Sequence, residues 1–170
     1  MKTPIQARIL YDSIRQLDEQ GGLYVWCTPD QRSVLKIQKL MQGAPFKTRN
    51  STQLHCTIMY HHDVLPEAID VPEDREMSGL LRQLVIWEEP NGELILVGLI
   101  HSQDLQELHE ELNSQGLKHS FEDYTAHISL GKDLERDEAT LAWIEERNEM
   151  LDGMPLIVDF DACIKGSSLA

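Results

Sequence analysis

A strand, a helix and a histidine-bearing strand recur along this chain at almost one spacing, and that recurrence restricts the fold more than any single motif. In the first copy, Leu23-Tyr24-Val25-Trp26-Cys27 is an apolar strand candidate and Asp30 to about Met41 carries apolar residues at helical spacing. It closes on Leu54-His55-Cys56-Thr57-Ile58-Met59-Tyr60. In the second, Leu94–Leu99 reads as strand, Ser102 to about Ser114 as helix, and Ala126-His127-Ile128-Ser129-Leu130-Gly131 as the closing strand. His55 follows Leu23 by 32 positions and His127 follows Leu94 by 33, a spacing that reads as internal duplication.

Each closing strand sets a hydroxyl residue two positions after its histidine. Residues two apart on a strand share a face, so His55 emerges beside Thr57 and His127 beside Ser129. A single His-x-Thr or His-x-Ser arises often by chance; two in matching contexts carry an argument. Copies folded about a pseudo-two-fold axis set the two imidazoles opposite each other. An imidazole titrates near neutral pH, so one ring can accept a proton while the other donates one. That pairing moves a phosphoryl group between two oxygens: the base takes a proton from water or a ribose 2′-OH, and the acid protonates the departing oxygen. Thr57 and Ser129 are expected to hydrogen-bond the non-bridging oxygens. The sequence does not say which histidine is base and which is acid. No cofactor and no metal is expected; His61-His62-Asp63 offers no ligand spacing, because adjacent histidines on a strand point to opposite faces.

The duplication predicts an α+β fold: two similar lobes of antiparallel strands around a central cleft, with helices packed outside. A length of 170 residues fits a single domain over 1–170. Lobe one is expected at about 23–62 and lobe two at about 80–131. A helix over 3–20 precedes them, and a helix and strand over 133–162 follow. Leu80–Trp87 pairs with Leu94–Leu99 through Asn91-Gly92, a strong hairpin signal.

Around the two motifs stand candidate substrate-binding residues. Tyr24 shares a strand face with Trp26 and offers a ring for stacking on a base, whereas Trp26 reads as core. Trp87 ends its strand near a turn, from which it reaches over a nucleotide site or covers the sheet edge. Tyr124, three residues before His127, brings a phenol that orients the imidazole, touches phosphate or simply packs. Lys47 and Arg49 precede the first histidine strand and are candidate phosphate contacts in an acidic chain, a solvated loop being the other account of either one alone. His101, His109 and His119 are expected to be solvated. Cys27, Cys56 and Cys163, an odd number in apolar settings, are expected to be buried reduced thiols rather than nucleophiles.

The net charge of −14 repels long polyanions, so long nucleic acid is not an expected partner and a phosphate-bearing substrate should be small. No apolar run reaches the length of a bilayer span, and no apolar signal segment opens the chain. The expected setting is therefore cytoplasmic and away from membranes, with no protein partner evident.

On its two His-x-Thr/Ser motifs, set in two similar halves, the chain resembles the two-histidine (LigT-like) phosphoesterase superfamily over roughly Gly22 to Gly131. Within it, Gly22-Leu23-Tyr24-Val25, the stretch LHCTIMY, Val85-Ile86-Trp87 and Asp123-Tyr124-x-x-His127 look most like the phage anti-CBASS nucleases. Those proteins destroy cyclic di- and trinucleotide alarm signals of bacterial defence, without metal, at a 3′–5′ linkage. The resemblance implies the two-histidine phosphoesterase fold, action in a host cytoplasm, His55, Thr57, His127 and Ser129 at the phosphate, and Tyr24 and Trp87 against bases. Ala126 stands where that branch often has Pro, and Ser129 where Thr is common; serine keeps the hydroxyl, so activity is expected to survive. The superfamily's other large branch acts on RNA ends, at 2′,3′-cyclic phosphates and 2′–5′ bonds, with the same four residues. Charge favours the small cyclic nucleotide. A module that only sequesters a nucleotide would need neither an acid nor a base.

Overall fold

Capping side chains set where each copy's helix begins. In this computed structural model, which describes residues 23–61, 69–72, 75–118, 124–161 and the backbone of 164–166, strand β1 spans Leu23–Cys27 and helix α1 spans Gln31–Leu40. Asp30 caps α1 by accepting the Ser33 N–H at 2.8 Å. A two-residue strand β2 (Lys47–Thr48) and a 3-10 turn at Ser51–Gln53 lead into β3, Cys56–His61. Strands β4 (Met77–Glu88) and β5 (Leu94–His101) form the expected hairpin, with Gly92 at φ 86° in its turn. Helix α2 (Gln103–Ser114) is capped by Ser102, 72 positions after Asp30, as α2 itself starts 72 positions after α1. Then follow β6 (His127–Lys132), α3 (Glu138–Gly153), β7 (Leu156–Phe160) and β8 (Ile164–Gly166).

One expectation changes and several fall outside the described residues. The helical pattern read from Asp133 begins only at Glu138: Asp133 is left-handed at φ 56°, the Leu134 N–H is bonded to the Leu94 carbonyl, and Asp137 caps the helix. The short strands β2 and β8 were not legible, having too few residues for alternation to register. The helix expected over 3–20, and His62, Asp63, His119 and Cys163, lie outside the described residues.

The strands make one continuous antiparallel sheet in the order β7-β4-β5-β6-β3-β1-β8, with β2 alongside β6. The two copies are halves of this sheet rather than separate layers, and they meet where β3 and β6 pair Cys56 with Ile128. Each of those residues directly follows its histidine, so the pseudo-two-fold axis runs between them.

The copies also share an irregularity. In β1–β3 the register passes from Trp26↔Thr57 to Val25↔Met59, leaving Ile58 unopposed. In β5–β6 it passes from Val97↔Ser129 to Leu96↔Gly131, leaving Leu130 unopposed, again one residue after the hydroxyl. A bulge inserts one residue and re-aims the side chains beside it, so each half turns its His-x-hydroxyl pair by the same device.

The three helices among the described residues cover one face. Ile37 and Leu40 of α1, Leu105, Leu108 and Leu112 of α2, and Trp143, Ile144 and Leu151 of α3 join Val25, Cys27, Cys56, Ile58, Leu84, Leu96 and Ile128 in one core. At about 1.5–3 kcal/mol per large apolar side chain buried, this layer holds the fold and leaves the other face to polar chemistry. That other face carries Trp26, Ile95 and Val97 as a floor, buried yet apart from the helix-side core. Cys27 and Cys56 are free thiols buried in the core.

The last strands close the sheet on itself. β7 pairs with β4 and β8 with β1. Between them Phe160 bridges Pro29 and the Asp161 N–H donates to the Thr28 carbonyl. The β7 edge that β4 leaves open is met by Asp30 and Ser33, through Asp30 N–H to the Asp159 carbonyl and Asp159 N–H to Ser33 Oγ, each 2.8 Å. Little open edge is left there for another chain to pair with.

Candidate active site

The two histidines are held in the same way. His55 immediately precedes β3 and His127 opens β6. The Nδ1 of His55 donates to the Gln53 carbonyl, and the Nδ1 of His127 to the Thr125 carbonyl, each at 2.8 Å and each two residues back. A carbonyl can only accept, so Nδ1 carries the proton and Nε2 of the neutral ring remains to accept one. An antiparallel pairing centred on Cys56 and Ile128 sets His55 alongside Ser129 and Thr57 alongside His127. All four are half-buried, whereas Cys56 and Ile128 point into the core.

Their electrostatics differ. Burial pushes His55 below its ordinary value of 6.5, and the charges of His127 and Arg49 push the same way. Burial also lowers His127, but Glu89 opposes the shift.

The surroundings differ as well. The hydroxyls of Tyr24 and Thr57 are hydrogen-bonded at 2.7 Å, and the Tyr124 hydroxyl donates to the Thr57 carbonyl at 3.0 Å. Burial raises the Tyr24 phenol to about 12, so it stays protonated. The Tyr24 ring meets Trp26 and Tyr60 edge-on, at 4.8 and 5.1 Å between centroids. Trp26 is buried core, as its sequence setting suggested. Trp87 leans over His127 with centroids 4.4 Å apart and planes 57° from parallel.

The two cations part company. Arg49 donates its backbone N–H to the Leu130 carbonyl at 2.9 Å, acts on His55 through its charge, and has a buried Nε without a partner. Lys47 is exposed in β2, opposite Lys132. The Tyr124 phenol reaches Thr57 of the other half, a use its distance from His127 in sequence did not suggest.

Two residues were not singled out from sequence. Glu89 lies in a turn rich in acids, and only the fold brings it near His127. His109, expected to be solvated, instead bonds the Ile58 carbonyl at 2.7 Å and stacks on Tyr124. His61 is buried, with Nδ1 accepting the Lys118 N–H at 2.9 Å. Among the described residues no three His, Cys, Asp or Glu side chains are grouped to hold a metal ion, and no helix is long and apolar enough to cross a membrane.

Comparison with known proteins places this geometry. Over 117 residues the chain is 29% identical to the anti-CBASS protein Acb1 of Vibrio phage KVP40, an alignment covering 68% of this chain and 75% of that protein. Residues 21–151, a span that holds both histidine pairs and most of the sheet, match the family described as anti-CBASS protein Acb1, and the chain belongs to that family.

Proposed function

We propose that the chain is a two-histidine phosphodiesterase that counteracts CBASS defence by opening cyclic di- or trinucleotide signals at a 3′–5′ linkage. The observation that carries this reading is the matched pair of imidazoles across the β3–β6 junction, each fixed through Nδ1 and each beside a hydroxyl residue. Membership of the anti-CBASS family supports the biological setting, and the net charge of −14 supports a small substrate over an RNA chain.

In this reading the neighbours assign the histidine roles. Burial lowers both imidazoles, but Arg49 pushes His55 further down while Glu89 holds His127 back, so His55 is assigned the general base and His127 the general acid. His55 Nε2 takes the proton from a ribose 2′-OH, the 2′ oxygen bonds to phosphorus, the bond from phosphorus to the 5′ oxygen breaks, and His127 gives its proton to that oxygen. The products are a linear nucleotide with a 2′,3′-cyclic phosphate and a free 5′-OH. With water as nucleophile the same two transfers give a 3′ phosphate directly. Thr57, Ser129 and Arg49 hold the non-bridging oxygens, while Trp87 and Tyr24 border the base.

The test is incubation of purified protein, with chelator present, against cyclic di- and trinucleotides and an RNA oligonucleotide ending in a 2′,3′-cyclic phosphate. Linearised cyclic nucleotides with the RNA end intact support the reading. Opening of the RNA end alone would put the chain with the RNA-end enzymes, and binding without turnover would make it a sequestering protein.

A further inference from the structure

His109 occupies a position in α2 whose counterpart in α1, 72 residues earlier, is the buried Ile37. Placing an imidazole on a core-facing stripe costs free energy unless its polar atoms are bonded. Here Nδ1 donates at 2.7 Å to the carbonyl of Ile58, the residue left unopposed by the β1–β3 bulge. The bulge of the other half is treated alike, since the Leu130 carbonyl accepts the Arg49 N–H. Each half thus supplies the donor for the irregular residue of its partner half.

On the His109 side the contact continues to the hydroxyl residue of the site through a second ring. The imidazole lies parallel to the Tyr124 ring, with centroids 4.1 Å apart and planes 7° from parallel, and the Tyr124 hydroxyl holds the Thr57 carbonyl. Two stacked rings from the second half therefore bond two successive carbonyls, Thr57 and Ile58, of the first half's catalytic strand.

We infer that His109 is a positioning residue for Thr57, fixing through Ile58 and Tyr124 the backbone that aims the Thr57 hydroxyl at the substrate phosphate. The kinetic consequence rests on the phosphodiesterase reading above; the positional one does not. A displaced oxyanion donor lowers the rate of the chemical step more than it weakens binding.

The experiment uses the full chain with cyclic di-AMP and cyclic tri-AMP. His109→Ala is expected to lower kcat about tenfold or more with KM within about twofold. His109→Asn, which restores an N–H close to the Nδ1 position, should recover most of that loss, and His109→Phe, which keeps only the stack, should not. In a Thr57→Ala background His109→Ala should cost nothing further, because its route to the reaction is already cut. A role confined to stability gives losses that add in that background and follow Tm, and such a result overturns the inference. Should His109→Ala fail to fold, the Asn and Phe variants carry the same comparison. If the wild-type protein opens neither nucleotide, the phosphodiesterase reading fails by itself, and a crystal structure of His109→Phe decides the rest. A displaced Thr57–Ile58 backbone sustains the positioning role, and an unmoved one sinks it.

Discussion

The two halves of the sheet have one backbone plan and two chemical environments. Both have a capped helix, a bulge one residue after the hydroxyl, and a histidine tied to the carbonyl two residues before it. Around that frame, His55 has Arg49 nearby where His127 has Glu89 and the Trp87 ring. Thr57 is bonded by two tyrosines, one from each half. The difference teaches that the two halves share their backbone placement, whereas the charges around the two imidazoles come from residues outside the repeated motif, and on the reading proposed above those charges divide base from acid.

The bluntest way to break the comparison is to remove an imidazole. His55→Ala and His127→Ala should each reduce kcat on a cyclic nucleotide by about 10²–10⁴ with little change in Tm. A variant that retains near wild-type turnover removes that residue from the chemistry. Next come the hydroxyls: Thr57→Ala is expected to cost about 10²–10³ in kcat, and Ser129→Ala less. Equal losses would show that the tyrosine bonds add nothing at Thr57.

A core position tests the halves without touching the site. At the register positions that face Cys56 and Ile128, the first half has Cys27 and the second Gly98. A Cβ at Gly98 would run into the Leu81 and Leu130 methyl groups, and Leu81 is fully buried, so its methyl must move against packed neighbours. Gly98→Ala should therefore lower unfolding free energy by about 1–3 kcal/mol, read by urea titration. Cys27→Ala, which forces no new atom into the core and gives up the weak Cys27 Sγ contact to the Cys56 carbonyl, should cost less.

The gentlest changes sharpen the electrostatics. Arg49→Gln should raise the His55 pKa and move the acid limb of the kcat/KM profile to higher pH; Glu89→Gln should lower His127 and move the alkaline limb to lower pH. Shifts on the opposite limbs would exchange the two roles. Stability follows the same groups. Both imidazoles are held below 6.5, so the unfolded chain binds more protons as pH falls and their linkage destabilises the fold below about pH 6.5. Tm should drop between about pH 7.5 and pH 5.5, less so in a variant carrying His55→Gln and His127→Gln.

Much of this frame was legible because it is local or periodic. Strands Leu23–Cys27 and Leu156–Phe160, the helix starts at Asp30 and Ser102 and the Asn-Gly hairpin each announce themselves within a few residues. The face shared by His55 and Thr57 follows from the two-residue period of a strand. What stayed hidden depends on chain closure over long separations. The Tyr124–Thr57 bond spans 67 positions, His109–Ile58 spans 51, and no spacing rule connects them. The bulges were equally silent, since an apolar residue directly after a hydroxyl residue, as Ile58 and Leu130 are, also continues the ordinary alternation of a half-buried strand.

Closure by β7 and β8 bears on how the chain must be made. Trp26 of β1 pairs with Ile164 across 138 positions, so on a ribosome adding about 5–20 residues per second the first strand waits roughly 7–28 s for its neighbour. Throughout that interval its outer edge has no partner, and pairings so distant in sequence form slowly even once both strands are present. The first half can assemble β1, α1 and β3 early, but the sheet closes only when the second half and the strand beyond it have been synthesised. The protein thus acquires its closed form in a late step, and a fault in β8 would be felt first at β1, the strand that carries Tyr24.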